Sequence, residues 1–385
     1  MYDIEKIQKE VNKAVLMIRK GYPKERIIKK IKGGIFPKEK VFEMAKCRIK
    51  ARKKFGKDAE NLLFDEIGLR YATPPQVAEY RAKRIGAESV ADLGCGVGIQ
   101  LLYFARNAER CVGVERDDAR AKMAMLNAMA MGLENVEVIR GNALESKIVG
   151  RIDEEVIFCD PAREPEEERR KFDTLSPNPM DIFTLYKGKK MAFEIPPRIH
   201  RSEIKIEGEK EYTSLNFRLN RLALYTGELA RCDVSAISLP SEERVSNIEE
   251  EAEAMTGRKI MNYVYEVDGT IMKAGLLKNL LGKLSFDGYL ISSSKRSLLS
   301  SDGIYSSSFL RRYEVMKTCN FSRSKINREL RKLEAGKAIL RFSISPEEYW
   351  RVRNSIEEGF DGDKTYYIFR VGDRAVIARV SQTQG

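Results

Sequence analysis

The first seventy residues place apolar side chains at helical spacing. Ile4, Ile7, Val11, Val15 and Ile18 recur every three or four positions and predict a helix over 3–20. A second helix starts after Pro23 in "YPKERIIKKI" and ends at the Gly33–Gly34 pair. A third runs through "PKEKVFEMAKCRIKARKKF", with Pro37 near its first turn. From Val90 the pattern changes to short β-rich runs, "SVADLG", "CVGVE", "VEVIRG" and "EVIFCD", separated by helical stretches at 99–108 and 117–131. That alternation predicts a parallel sheet with helices on both faces. "KKMAFEIP" supplies a fifth strand, and "EYTSLNFRLNRLALYTG" with "CDVSAISLP" close the sheet as an antiparallel pair.

The acidic, apolar-poor stretch "SEERVSNIEEEAEAMTG" reads as a linker or an exposed helix. Beyond it, strands in "NYVYEVD", "AILRFSI", "TYYIFRV" and "AVIARV" mix with helices at 270–281, 323–335 and 346–358. The serine-rich "ISSSKRSLLSSDGIYSSS" reads as exposed loop. The expected organisation is a helical region over 1–70, an α/β sheet domain over 71–243, a linker over 244–259 and a separate α+β domain over 260–385.

Charge sharpens this picture. The net charge is +12, but it is unevenly spread. Residues 1–70 carry 20 basic against 10 acidic side chains and residues 260–385 carry 21 against 14, whereas 71–259 carry 28 against 33. Two basic flanks around a slightly acidic centre suggest that the flanks hold a polyanion on which the centre acts, with RNA as the expected partner. A soluble basic surface is the plainer alternative.

Other features narrow the chemistry. No apolar run approaches the length of a membrane span. The opening "MYDIEKIQKEVNKAV" is charged from its third residue, unlike a secretory signal, and the six cysteines show no CxxC spacing. A cytoplasmic protein with reduced thiols, no zinc and no other metal site is expected. The single histidine, His200, sits in the charged run "RIHRSEIK" and reads as a surface residue. Histidine-based nucleophilic catalysis is therefore not expected.

The candidate chemistry centres on "VADLGCGVGIQ", where Gly94, Gly96 and Gly98 follow a strand. Such glycines bring backbone close to a ligand. A dinucleotide site would read GxGxxG. Here Asp92 precedes the first glycine and the third comes one position early. A carboxylate at that point repels a pyrophosphate and attracts a ligand carrying an amino group. S-adenosylmethionine is such a ligand. Glu115 ends the second strand, where a carboxylate can take both ribose hydroxyls, and Asn142 ends the third, where an amide can bond an adenine nitrogen.

With these residues the sequence resembles the class I S-adenosylmethionine-dependent methyltransferases. "DLGCGVG" matches their first motif, and "NAMAMGLENVEVIRGNA" is similar to RNA-modifying members. "RYATPPQVAEYRAKRIG", which contains Thr73, looks like the family's segment near the methionine end of the cofactor. "ARKKFG", "FCDPARE" and "YEVDGTIMKAGLL…FLRRYEV" look like members with a C-terminal THUMP-like domain. The resemblance implies a Rossmann-like sheet, S-adenosyl-L-methionine as cofactor, and Thr73, Asp92, Gly94, Gly96, Gly98, Glu115, Asn142 and Asp160 as its contacts. It also implies RNA, and transfer RNA in particular, as substrate.

Class I enzymes place substrate contacts at the end of the fourth strand, here "FCDPAR". Members acting on exocyclic amines carry a second proline and an aromatic residue there, where this chain has Ala162 and Arg163. Asp160 and Arg163 are the catalytic candidates. Arg163 can stack on a base, fork to a guanine edge or clamp a phosphate, or else pair with Glu164–Glu168. Asp160 can instead cap the next turn. A guanine ring nitrogen, N7 first, is the expected acceptor, because a free lone pair needs alignment more than a base. Tyr71, Phe158 and Phe183 are candidates for base stacking, although aromatic residues more often pack a core; Cys95 and Cys159 read as small packing residues. A methyltransferase of a small molecule or protein, and a non-catalytic RNA-binding protein on the same fold, are the alternatives.

Overall fold

The computed structural model describes residues 4–162, 171–293 and 296–380. The chain forms two compact units, one built from 1–210 with 221–231 and the other from 211–220 with 232–385.

The first unit opens with helices α1 (Ile4–Arg19), α2 (Lys24–Lys30), α3 (Lys38–Phe55), α4 (Glu66–Tyr71) and α5 (Pro75–Ile85). The periodic positions Ile7, Val11 and Val15 of α1 are buried as their spacing requires. Strands and helices then alternate through β1 (Ser89–Leu93), α6 (Ile99–Ala105), β2 (Arg110–Glu115), α7 (Asp118–Ala130), β3 (Val136–Arg140), α8 (Ser146–Val149), β4 (Val156–Cys159), α9 (Pro179–Leu185) and β5 (Lys190–Ile195). The strand order is β3-β2-β1-β4-β5, all parallel. The segment expected as one closing strand is two: β6 (Glu209–Leu215) and β7 (Leu219–Tyr225), turning at Asn216 and Phe217, both at positive φ (54° and 63°). β7 lies antiparallel to β5.

The second unit holds β6 beyond residue 210, β8 (Val234–Leu239) and β9 (Glu243–Ser246). It continues with β10 (Met255–Thr256), β11 (Tyr263–Val267), α10 (Gly269–Ala274), α11 (Leu277–Lys283), β12 (Tyr289–Ser293), β13 (Ser297–Ser301), β14 (Leu310–Asn320), α12 (Arg323–Lys332), β15 (Ala335–Leu340), α13 (Pro346–Glu357), β16 (Lys364–Val371) and β17 (Arg374–Val380). Its eight-stranded sheet runs β10-β12-β13-β11-β14-β17-β16-β15.

Several expectations are corrected by the second unit. The serine-rich stretch is loop only in its second half: 291–293 and 297–301 belong to the paired strands β12 and β13, β13 is buried throughout, and 302–308 form no strand. Its serines are satisfied internally: Ser300 Oγ donates to Tyr263 O at 2.9 Å and Ser301 Oγ to Asp287 O. The helix expected over 270–281 breaks at Gly275, which takes φ 73°, to give α10 and α11. The segment 244–259 contains β10 and most of β9, both paired within the second unit. The chain thus divides inside the β6–β7 hairpin rather than at 243/244.

Residues 1–70 share a continuous apolar core with the sheet, in which Val11, Met44, Ala51 and Phe64 join Leu101, Met123 and Phe158. Asn127 on α7 fastens that contact. Fully buried, it accepts from Leu63 N at 2.7 Å and donates to Leu63 O at 3.0 Å and Val97 O at 2.9 Å. Asn127→Ala would leave three backbone groups unsatisfied, and we expect a loss of about 3 kcal/mol. Urea unfolding checks this; a change below about 0.5 kcal/mol would count against the clamp.

Candidate active site

β1 delivers the chain into the glycine loop. Gly94 N and Cys95 N both donate to Val114 O, at 2.7 and 3.0 Å, folding the loop back over the end of β2. Gly94, Gly96 and Gly98 have φ of 85°, 58° and 84°, a region that side chains disfavour. A Cβ on Gly94 or Gly96 would meet no protein atom within 4 Å, so the backbone there borders open space, whereas one on Gly98 would press on Ala124 at 3.0 Å. Glu115 closes one side. Its Oε2 accepts from Gly96 N at 2.9 Å and its Oε1 from Asp117 N at 2.8 Å. Each carboxylate oxygen still has a lone pair for a ligand hydroxyl.

The strand register sets a second feature beside this loop. Asp92 pairs with Phe158, Phe158 with Ala192, and Ala192 with Tyr225. Glu194, two residues past Ala192, points to the same face. Asp160 follows β4 directly and acts electrostatically on Asp92 and on Arg81. The C-terminal ends of β1, β4 and β5 therefore carry three carboxyl groups in a row.

Arg81 from α5 balances that row. Only 2% exposed, it donates from Nη1 to Gln100 Oε1 at 2.8 Å and from Nη2 to Glu194 Oε2 at 2.5 Å, with its guanidinium 4.8 Å from the centre of the Phe158 ring. Arg221 on β7 reaches Glu194 Oε1 from its Nε at 2.6 Å. Asp92 is left undercompensated. Burial pushes its carboxyl well above the usual range, Asp160 adds to the rise, Arg81 opposes it, and Glu115 and Glu194 raise it further.

No protein-family model matches the chain. An uncharacterized S-adenosylmethionine-dependent methyltransferase of Mycobacterium tuberculosis is 27% identical over 282 residues, 72% of this chain and 75% of that protein. A crystal structure described as a methyltransferase from Porphyromonas gingivalis W83 superposes with a TM-score of 0.76 at 18% identity, covering 99% of this chain and all of the other. The chain has the fold of the class I S-adenosylmethionine-dependent methyltransferases. An uncharacterized RNA methyltransferase of Clostridium acetobutylicum is similar over a shorter stretch, 37% identical over 81 residues, 20% of this chain and 18% of that protein.

The other expected site residues fall as follows. Thr73 is buried in the segment joining α4 to α5. Asn142 follows β3 on the surface, where its Oδ1 accepts from Leu144 N at 3.2 Å. Arg163 and its expected partners Glu164–Glu168 lie outside the described residues. Ala162 is fixed by a two-way backbone bridge to Ser176 (2.7 and 3.0 Å). Tyr71 and Phe183 are exposed, but Phe158 is not a stacking surface: it is a core residue, edge-on to Phe104 at 5.2 Å and covered by Arg81. Its place in the middle of a strand buried on both faces dictates that. His200 is exposed and caps a short turn. Cys95 and Cys159 are buried, with thiols pushed up by burial. Among the described residues no cluster of His, Cys, Asp or Glu is placed to hold a metal, and no helix is long and apolar enough to cross a membrane.

Arg81, Glu194 and Arg221 were not anticipated. The signal was a single glutamate inside the apolar fifth strand "MAFEI", and an arginine on the face of α5 that also buries Val77, Ala78 and Ala82.

Asp92 also ties stability to pH. Its carboxyl binds a proton more tightly folded than unfolded, so its contribution is complete below the unfolded carboxylate range and is lost as pH rises through the raised native value. Asp92→Asn is expected to raise the melting temperature of the ligand-free protein at pH 7–8 and to leave it nearly unchanged at pH 4. Scanning calorimetry showing the same shift at both pH values would contradict this.

Proposed function

We propose that this methyltransferase acts on RNA, with S-adenosylmethionine held by the glycine loop and the strand ends around it. The observation that carries the RNA reading is the charge distribution: net +10 over 1–70 and +7 over 260–385, against −5 between them. The partial relative from Clostridium acetobutylicum, named as an RNA methyltransferase, supports it.

The residues present fit the cofactor. The positive-φ backbone at Gly94 and Gly96 borders space that a side chain would fill, with Gly98 closing the turn against α7. The buried Asp92 carboxyl is short of positive charge, which a ligand ammonium supplies. When bound, S-adenosylmethionine brings an electrophilic methyl group on a sulfonium. Asp92 then takes the amino group, Glu115 the ribose hydroxyls, Asn142 the adenine edge, and Thr73 lies at the methionine end. Asp160 and Arg163 orient the acceptor at the end of β4. Pro161-Ala162 provides no aromatic platform for an exocyclic amine, so the acceptor in this reading is a ring nitrogen with a free lone pair, guanine N7, which asks of the protein alignment and exclusion of water rather than a base. Transfer RNA as the substrate, and a THUMP-like holding role for 260–385, rest on the sequence resemblance.

Incubation with methyl-labelled S-adenosylmethionine and bulk cellular RNA should leave label on RNA and none on protein or small metabolites, and digestion should release 7-methylguanosine. Label on protein alone would end the RNA reading; label on adenine N6 or on ribose would end the ring-nitrogen one.

Two variants test the cofactor contacts. Asp92→Asn and Glu115→Gln should each weaken S-adenosylmethionine by about 1–3 kcal/mol. Wild-type affinity should decline as pH falls through the raised Asp92 range, because binding must then displace a proton, and Asp92→Asn should flatten that profile. Calorimetric titration giving wild-type affinity in both variants would refute these contacts.

A further inference from the structure

The second unit holds a cavity of about 230 Å³ between α12 and α13, beside the end of β16. The two helices turn Ile326 and Leu330, and Val352 and Ile356, into one small core. Phe321, just before α12, and Phe342, on the way into α13, sit only partly buried against that core. Their rings are nearly perpendicular (88°) with centres 5.0 Å apart, and both line the cavity. Three charged side chains also line it: Arg323, Glu348 and Arg370. The Arg370 guanidinium lies 4.5 Å from the centre of the Phe321 ring, and its Nε donates to Gly372 O at 3.0 Å. These two contacts fix its plane. Glu348 is engaged by Arg351 of its own helix, whereas among the described residues Arg323 and Arg370 pair with no carboxylate.

We propose that this cavity is a nucleotide subsite: it takes one unpaired base of RNA against the phenylalanine rings and the Arg370 plane, with the adjoining phosphate on Arg323. The subsite gives the acceptor a second point of attachment, and in that role it rests on the RNA reading above. Size argues for a single base, because pockets that enclose drug-sized ligands span about 300–1,000 Å³. Flat apolar walls suit the π-face of any base, so the subsite asks for an unpaired nucleotide rather than a sequence. A guanidinium held flat on one ring offers its other face to a second. The exposed Lys325, further along α12, extends the positive edge. An apolar peptide side chain would fill the same walls but leave both arginines without a counter-charge, which a nucleotide supplies.

The test uses the full chain and a short fluorescein-labelled single-stranded RNA of mixed sequence. Phe342→Leu keeps the wall apolar but removes the ring; fluorescence anisotropy should show affinity about tenfold weaker with an unchanged dependence on salt. Arg323→Gln should instead flatten the slope of log affinity against log salt by about 0.7, the loss of one phosphate contact on a single strand. Ultraviolet crosslinking of the wild-type chain, read by peptide mass spectrometry, should place RNA on Phe321 or Phe342, and this readout does not depend on any variant folding. A wild type that does not bind the RNA, affinity undiminished in Phe342→Leu, or crosslinks confined to other peptides overturns the subsite. With bulk RNA as methyl acceptor, Phe342→Leu should raise KM about tenfold and leave kcat within about twofold, because the cavity holds the acceptor and does not touch the reacting atoms. RNA methylated equally well by Phe342→Leu and the wild type overturns the subsite and leaves the RNA reading standing. Bulk RNA left unmethylated by the wild type ends the RNA reading, and the anisotropy and crosslinking measurements then still decide the subsite.

Discussion

One buried guanidinium sets the conditions for the whole site. A parallel sheet that ends in Asp92, Asp160 and Glu194 on neighbouring strands gathers negative charge where water is scarce. Such a row is tolerable only with a cation fixed among it, because uncompensated buried carboxylates cost several kcal/mol each. Arg81 supplies that cation from α5, and Gln100 and the Phe158 ring hold its plane. Lys would not replace it: a single ammonium cannot bond Glu194 and Gln100 while lying flat over a ring. The compensation is incomplete at Asp92, and that residual deficit makes a cationic ligand favourable in the adjoining space.

The glycine loop depends on the same economy of partners. Glu115 is held by two backbone amides of the loops it joins, so its position does not await a ligand. Preorganisation of this kind spares binding the cost of ordering a side chain. The helical N-terminal residues contribute at a distance. By sharing a core with the sheet and bonding through Leu63 to Asn127, they fix α7, against which Gly98 packs, and Asn127 reaches the loop itself at Val97 O. A basic N-terminal region that looked from its charge like a holding surface thus also braces the loop from behind.

Much of this could be read from the chain directly. The strand–helix alternation from Val90, the glycine loop with Asp92 before it and Glu115 at the next strand end are local patterns, and local patterns survive in sequence because backbone geometry imposes them on neighbouring residues. The helical spacing of α1 and the proline-led start of α3 belong to the same class. What failed were readings in which composition stood in for environment. Serines read as loop became a buried strand, because a hydroxyl can satisfy itself on a neighbouring backbone carbonyl. Phe158, for which core packing was already the better expectation, is core, because its strand is covered on both faces.

The sequence by itself determined the kind of sheet, the glycine loop that follows its first strand and the uneven charge along the chain, since each is written in residues close together. Only the tertiary structure decided which charges meet. Arg81, Glu194 and Arg221 come from α5, β5 and β7, far apart along the chain, and nothing local to any one of them specifies the others. Their pairing follows from strand register and from where α5 packs, which are properties of the folded core; electrostatics over a few ångströms then assigns each its role.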